Sequence, residues 1–432
     1  MATARRIGVT AATGIGVGSM LGAGVFSDMW GTVLAAGSWY LAAIGLAALV
    51  ALANALSTAQ LASRYPLAGG AYAYGRAELG PLAGHVAGAA FLVGKTASVA
   101  VGALVLGAYV LPGHAQAIAT AAVVLAWALN ARGITKTAVG ATVIAIVVTA
   151  ALAGIVIAAA AGDGEAPPAL RVVQDSTPAM AVLLAAASAF FAFAGYARIA
   201  TLGEEVRAPT RTIPRAILLA LGIVVTLYLA IAWALATLVG ADAVVGVRTR
   251  GSVGSEHADT LAGPIEQLAA VGHVPLAVVT VAAVLAIFGA MLAVMAGAGR
   301  TAMAMARERD LPPALAVQGS SGAPWRAELV VALLAVLLVW SSGTNLLLVS
   351  VATVLTYYAI ANLAAIRQRR AGRTAGLRVP VAVSAFGLLA SLTLVAVSLP
   401  VGSGSLASAL VVVALVVGWP FLSWAARSRW RH

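Results

Sequence analysis

Apolar runs of roughly 20 residues recur along the whole length of this chain, separated by short polar stretches. A helix needs about 20 such residues to cross the hydrocarbon core of a bilayer. Twelve runs can be marked, at approximately 8–32, 38–62, 85–111, 115–130, 138–161, 179–203, 214–240, 271–299, 328–342, 344–366, 380–400 and 405–425. They are continuous rather than alternating and rich in Ala and Leu, which excludes the strand pattern of a membrane barrel. With 62% hydrophobic and 9% charged residues, the chain has too few charges to cover a soluble surface. The expected fold is an all-α integral membrane protein of about 12 transmembrane helices, with the lipid bilayer as its surroundings.

The net charge of +12 follows topology rather than pointing to nucleic acid. With both termini in the cytoplasm, all but five of the 26 Lys and Arg fall in inside segments. Arg171, Arg248 and Arg250 fall outside, and Lys95 and Arg198 lie within spans. The N-terminal Arg5 and Arg6 precede an apolar stretch without a small-residue cleavage site, which reads as a first membrane helix and not a signal peptide. The expected home is the plasma (inner) membrane. Two outside loops, 162–178 and 241–270, are long enough to hold structure, and RTAMAMARERDLPP (300–313) reads as a short inside helix ended by its prolines. There is no Cys, and the five His are scattered without ligand spacing, so neither metal nor cofactor is expected.

Two spans carry unusual chemistry. The first contains GIGVGSMLGAGVF, residues 14–26, with Gly14, Gly16, Gly18, Gly22 and Gly24 inside a membrane helix. Each Gly costs about 1 kcal/mol relative to Ala there. Gly14 and Gly18 alone suit close helix packing, whereas the tighter SMLGAG run reads as a break. Span six, SAFFAFAGYARIATLGEEV (188–206), has Gly195 near its centre. Breaks at matching positions in two halves are the best sequence pointer to a transporter site. Amides at the restart of one helix suit a carboxylate, and carbonyls freed by the other suit an ammonium.

These stretches, in this order, resemble the amino acid–polyamine–organocation (APC) superfamily of amino acid permeases. The matching segments are GSMLGAGVF, then YPLAGGAYAYGRAELGPLAG after span two, NARG after span four, FFAFAGYARIATLGEEVRAPTRTIPRAI through span six and GAGRTAMAMARERDLPP after span eight, spanning residues 7–425. The resemblance implies a leucine-transporter-type fold with helices 1 and 6 broken. Residues 1–161 and 162–366 would form two inverted five-helix repeats, and 367–432 two further helices and a short basic cytoplasmic tail. It also implies secondary transport of amino acids by alternating access. By the same resemblance, the substrate carboxylate meets the backbone amides of Ala23 and Gly24 beside Gly22. Ala23 stands where relatives carry a hydroxyl. The amino group meets carbonyls of Met20, Phe191 and Ala194 beside Gly195, and Phe191 and Phe193 border the side-chain pocket.

Several departures bear on coupling. Many relatives have a lysine in span five, where the matching place here is near Val148, and sodium-dependent relatives carry hydroxyls in span eight, where residues 286–294 have none. Proton coupling or exchange is therefore expected, without sodium, and protons are candidate partners beside the amino acid. Lys95, near the bilayer middle in span three, is either a structural brace for broken-helix carbonyls or a proton-coupling group. Arg198 is expected to pair with Asp28, Glu204 or Glu205 or to face the cytoplasmic vestibule, and Glu204 and Glu205 to form an inner gate. A neutral L-amino acid suits the flanking phenylalanines. The alternatives are an amine or polyamine antiporter and a transporter-like membrane sensor. No enzyme motif and no nucleotide-binding P-loop is present.

Overall fold

The computed structural model describes residues 7–28, 32, 36, 39–67, 69–133, 138–164, 178–203, 205–240, 263–341, 345–404 and 406–423. Among them the chain is almost entirely helical, as continuous apolar runs require in lipid, where backbone polar groups must pair within their own segment. Fifteen α-helices follow in order. They are α1 (Val9–Met20), α2 (Tyr40–Arg64), α3 (Ala71–Leu79), α4 (Pro81–Val110), α5 (Ala115–Ala131), α6 (Ala138–Ala161), α7 (Pro178–Phe193) and α8 (Ala197–Ala200). Then come α9 (Pro209–Ala234), α10 (Pro264–Val271), α11 (Leu276–Arg307), α12 (Trp325–Val339), α13 (Leu346–Arg370), α14 (Val381–Ser403) and α15 (Leu406–Val413).

Ten segments among the described residues are long and apolar enough to cross a membrane. The shorter α1 and α12 coincide with the first and ninth expected spans. The stretch 300–313 differs from expectation. No separate helix forms there, because α11 runs unbroken to Arg307 before the chain turns at Glu308–Leu311. Nothing in RTAMAMAR interrupts a helix, so helix propensity carries the span past the membrane. The sequence reading does not mark α3, a helix in the loop after span two, whereas α10 falls at the end of the long outside loop expected to hold structure.

Helix packing places both broken spans at the centre. The half-helix α1 packs on α6 and α9, while α7 packs on α2 and α13. The long α4 runs against α11 and α13. At one end of the bundle, α3 is tied down by charge. Arg76 bonds Asp310 at 2.9 Å and Glu308 at 3.0 Å, and the Tyr72 hydroxyl donates to Asp310 at 2.8 Å. Burial, with the Asp310 carboxylate beside it, pushes the Tyr72 phenol well above its ordinary range, so it remains a donor. Gly70 enters α3 with φ 54° and ψ −130°, and a Cβ there would lie 2.2 Å from the Tyr357 hydroxyl, so only glycine fits.

Candidate functional site

Both suspected sites depart from regular α-helix, the first by unwinding and the second by tightening. The first helix ends at Met20, Leu21 leaves helical geometry at φ −74° and ψ 72°, and a π-helical turn resumes at Gly24–Asp28. The sixth span tightens into a 3-10 turn at Ala194–Tyr196 between α7 and α8. The two breaks touch each other. A Cβ on Gly195 would sit 2.2 Å from the Ser19 carbonyl oxygen, and one on Gly24 would sit 2.6 Å from Ala192 Cα. A Cβ on Gly22 would meet Ala290 at 2.7 Å. The glycines therefore allow two interrupted helices to cross at backbone contact. The Ser19 hydroxyl spans the crossing, 2.8 Å from both the Gly16 and Gly195 carbonyl oxygens.

Side chains from other helices donate to carbonyls at both of these sites. Tyr228 of α9 donates its hydroxyl to Met20 O at 2.8 Å. Lys95 of α4 donates to Ala194 O at 3.1 Å, and Tyr358 of α13 reaches the same oxygen at 3.3 Å. The Lys95 ammonium also lies 5.8 Å from the centre of the Phe91 ring, within cation–π range. Lys95 is only 4% exposed, so these contacts replace the water it has lost.

Beside the crossing is a cavity of about 40 Å³. It is lined by Ala23, Lys95, Ser98 and Phe191 on one side and by Ile287, Ala290, Met291 and Val294 of α11 on the other. Of the residues singled out from the sequence, Ala23, Phe191 and Lys95 meet here. Met20, Gly22, Gly24, Ala194 and Gly195 form the crossing behind them. Phe193 does not line the cavity; its ring packs 5.1 Å from Tyr228, because it faces α9 instead. The α11 wall is apolar throughout, as the absence of hydroxyls in 286–294 leads one to expect. Ser98, which shares a 2.7 Å hydrogen bond with Ser350, was not singled out from the sequence, and neither were Tyr228 and Tyr358.

Arg198 and Glu205 come together elsewhere, in a second cavity with Arg300 of α11 and Glu328 of α12. Glu205 forms its salt bridge with Arg300, while Arg198 donates to the Thr201 hydroxyl at 2.7 Å. Glu204 and the side chain of Asp28 lie outside the described residues.

Two irregular helices crossing inside a bundle of membrane-spanning helices, with a small cavity beside them, form the arrangement that a membrane transporter needs. Residues 7–421 match the amino acid permease family, and the chain belongs to it, within the APC superfamily. It is similar to an uncharacterized transporter of Mycobacterium bovis and to uncharacterized transporters of two Mycobacterium tuberculosis strains. Each is 43% identical over 366 residues, covering 84% of this chain and 80% of the relative.

Proposed function

We propose that this permease carries neutral L-amino acids across the plasma membrane by alternating access, coupled to protons or by exchange, and without sodium. The carrying observation is the helix crossing beside a cavity lined by Ala23, Lys95 and Phe191. In this reading the substrate carboxylate meets the backbone amides of Ala23 and Gly24, and its ammonium meets the carbonyls of Met20, Phe191 and Ala194. Residues 1–161 and 162–366 act as two five-helix repeats. The packing of α1 on α6 and α9, matched by α7 on α13 and α2, supports that division. Both termini lie in the cytoplasm, which the distribution of Lys and Arg supports.

Lys95 couples transport to protons. Its ammonium occupies the Ala194 carbonyl that the substrate's amino group would use. The two positive groups compete for one acceptor, so substrate binding favours withdrawal or deprotonation of Lys95. A polyamine is disfavoured, because the lining of this cavity includes a buried amine and no carboxylate.

The test is a panel of the twenty amino acids and their decarboxylated amines, read by thermal stabilisation and then by liposome uptake. Amino acids should bind, and the matching amines should bind about tenfold or more weakly, since one charge-assisted contact is worth roughly 1.5–3 kcal/mol. Amines that bind as tightly as amino acids would overturn the reading. So would uptake that demands a sodium gradient at fixed pH.

A further inference from the structure

The second cavity, of about 30 Å³, is separate from the one beside Lys95 and has a different chemistry. Its lining includes Ile15, Asn130, Arg198, Glu205, Arg300 and Glu328. Four polar atoms of these residues are buried and without a hydrogen-bond partner: Arg198 Nε, Arg300 Nη1, Asn130 Oδ1 and Glu328 Oε2. Asn130, Arg198 and Glu328 are each more than nine-tenths buried. Inside a membrane bundle such groups are costly when left unmatched. The fold makes room for them all the same. A Cβ on Gly299 would lie 2.4 Å from Glu328 Cγ, and one on Gly297 would lie 3.1 Å from Arg198 Cδ. The face of α11 is therefore bare where these two side chains pass.

The unmatched atoms divide evenly into two guanidinium N–H donors and two acceptors, a carboxylate oxygen and an amide oxygen. A simple anion would be attracted by the arginines but repelled by Glu205 and Glu328. A simple cation would meet the reverse. A ligand carrying a carboxylate and an ammonium side by side satisfies both sets. We propose that this cavity is a second amino acid site, occupied in passage between the central cavity and the cytoplasmic face. Arg198 and Arg300 receive the carboxylate, and Glu328 and Asn130 receive the ammonium. The inference rests on the amino acid reading above. As it stands, the space suits about two waters, and the Arg300–Glu205 bridge must part for even the smallest amino acid to enter.

The experiment uses full-length protein in nanodiscs, with glycine as probe and acetate and methylammonium as its two halves. Binding is read by saturation-transfer NMR. Ala290→Trp, or Ser98→Phe if the first does not fold, fills the central cavity so that remaining glycine signal reports the second one. Glycine should still bind that protein, and Glu328→Gln added to it should weaken binding about tenfold or more, as expected for a lost charge-assisted contact. Arg198→Lys, which keeps the charge but removes Nε–H, should weaken it too and serves if the Glu328 variant does not fold. Acetate and methylammonium should each bind far less well than glycine. Absence of glycine binding to a well-folded plugged protein overturns the proposal. Binding indifferent to both Glu328→Gln and Arg198→Lys, or matched by acetate alone, overturns it as well. Wild-type liposomes that take up no amino acid would instead sink the transport reading and leave this binding result standing.

Discussion

At the residue scale, Lys95 shows how a broken helix and a buried charge solve each other's problem. The 3-10 turn at Ala194–Tyr196 presents Ala194 O to the neighbouring helices, and Lys95 is buried, so they pair at 3.1 Å. The sequence marked Lys95 as unusual because a charge near the bilayer middle costs at least about 2.5–3.5 kcal/mol on insertion scales. It could not show the partner, which lies 99 residues further along the chain. Lys95→Met keeps the bulk and removes the ammonium. If Lys95 carries the coupling, uptake by this variant should lose its pH dependence while exchange of substrate for substrate survives. A variant whose exchange and melting temperature fall together would identify a brace instead. Gly195 offers a contrast in packing. Gly195→Ala drives a methyl into the Ser19 carbonyl, whereas Gly222→Ala on α9 meets nothing within 4 Å. Melting curves should show the first destabilised by about 1–3 kcal/mol through overpacking. The second should be neutral or more stable by up to about 1 kcal/mol. Equal behaviour would mean that the helix crossing is not the constraint.

At the element scale, α2 is held by polar contacts that hydropathy alone conceals. Gln60 donates to Ala365 O at 3.1 Å and to Gln368 Oε1 at 3.0 Å, and it accepts from Val379 N at 2.9 Å. Six residues earlier, under two turns away, Asn54 accepts from Asn362 at 2.6 Å and donates to Ser391 at 3.2 Å. These residues join α2, α13 and α14 without any hydrophobic preference between helices in lipid, where polar contacts and close packing must supply the attraction. Gln60→Leu should lower stability by about 1–3 kcal/mol, because it strands a buried N–H and a buried carbonyl. Transport by the surviving folded protein should persist, since Gln60 is not part of either cavity. A melting temperature unchanged from wild type would remove Gln60 from the helix contacts that matter. The existence of α2 was legible as an apolar run. Its partners were not, because they depend on which helix faces which.

At the scale of the whole molecule, the absence of Cys makes the chain its own background for single-cysteine labelling. Under the proposed orientation, Arg248→Cys should react with an impermeant maleimide applied outside intact cells. Arg369→Cys should react only after the membrane is opened. The reverse pattern would invert the topology. The same chemistry tests whether the Arg300–Glu205 bridge closes one end of the second cavity. Ile15 lines the second cavity and is 7% exposed, so Ile15→Cys should label slowly. Adding Glu205→Gln, which weakens the bridge, should speed labelling from the cytoplasmic side about tenfold if closure depends on one charge-assisted contact. No change in rate would show that the bridge does not close that end.

The sequence by itself determined that this chain is a bundle of membrane helices, where two of them depart from regular helix, and which superfamily it joins. Each of these is written locally, in run length, glycine spacing and contiguous motifs, and needs no distant partner to be read. Only the tertiary structure decided that Lys95 and Tyr358 meet Ala194, that Phe193 turns to Tyr228 and away from the cavity, and that Glu205 pairs with Arg300. It alone brought Asn130, Arg198 and Glu328 to one small polar space. Within a span, an apolar or polar residue looks the same whether it faces lipid, a neighbour or a cavity. Helix rotation and packing settle that choice, and they are fixed by contacts between segments far apart in the chain.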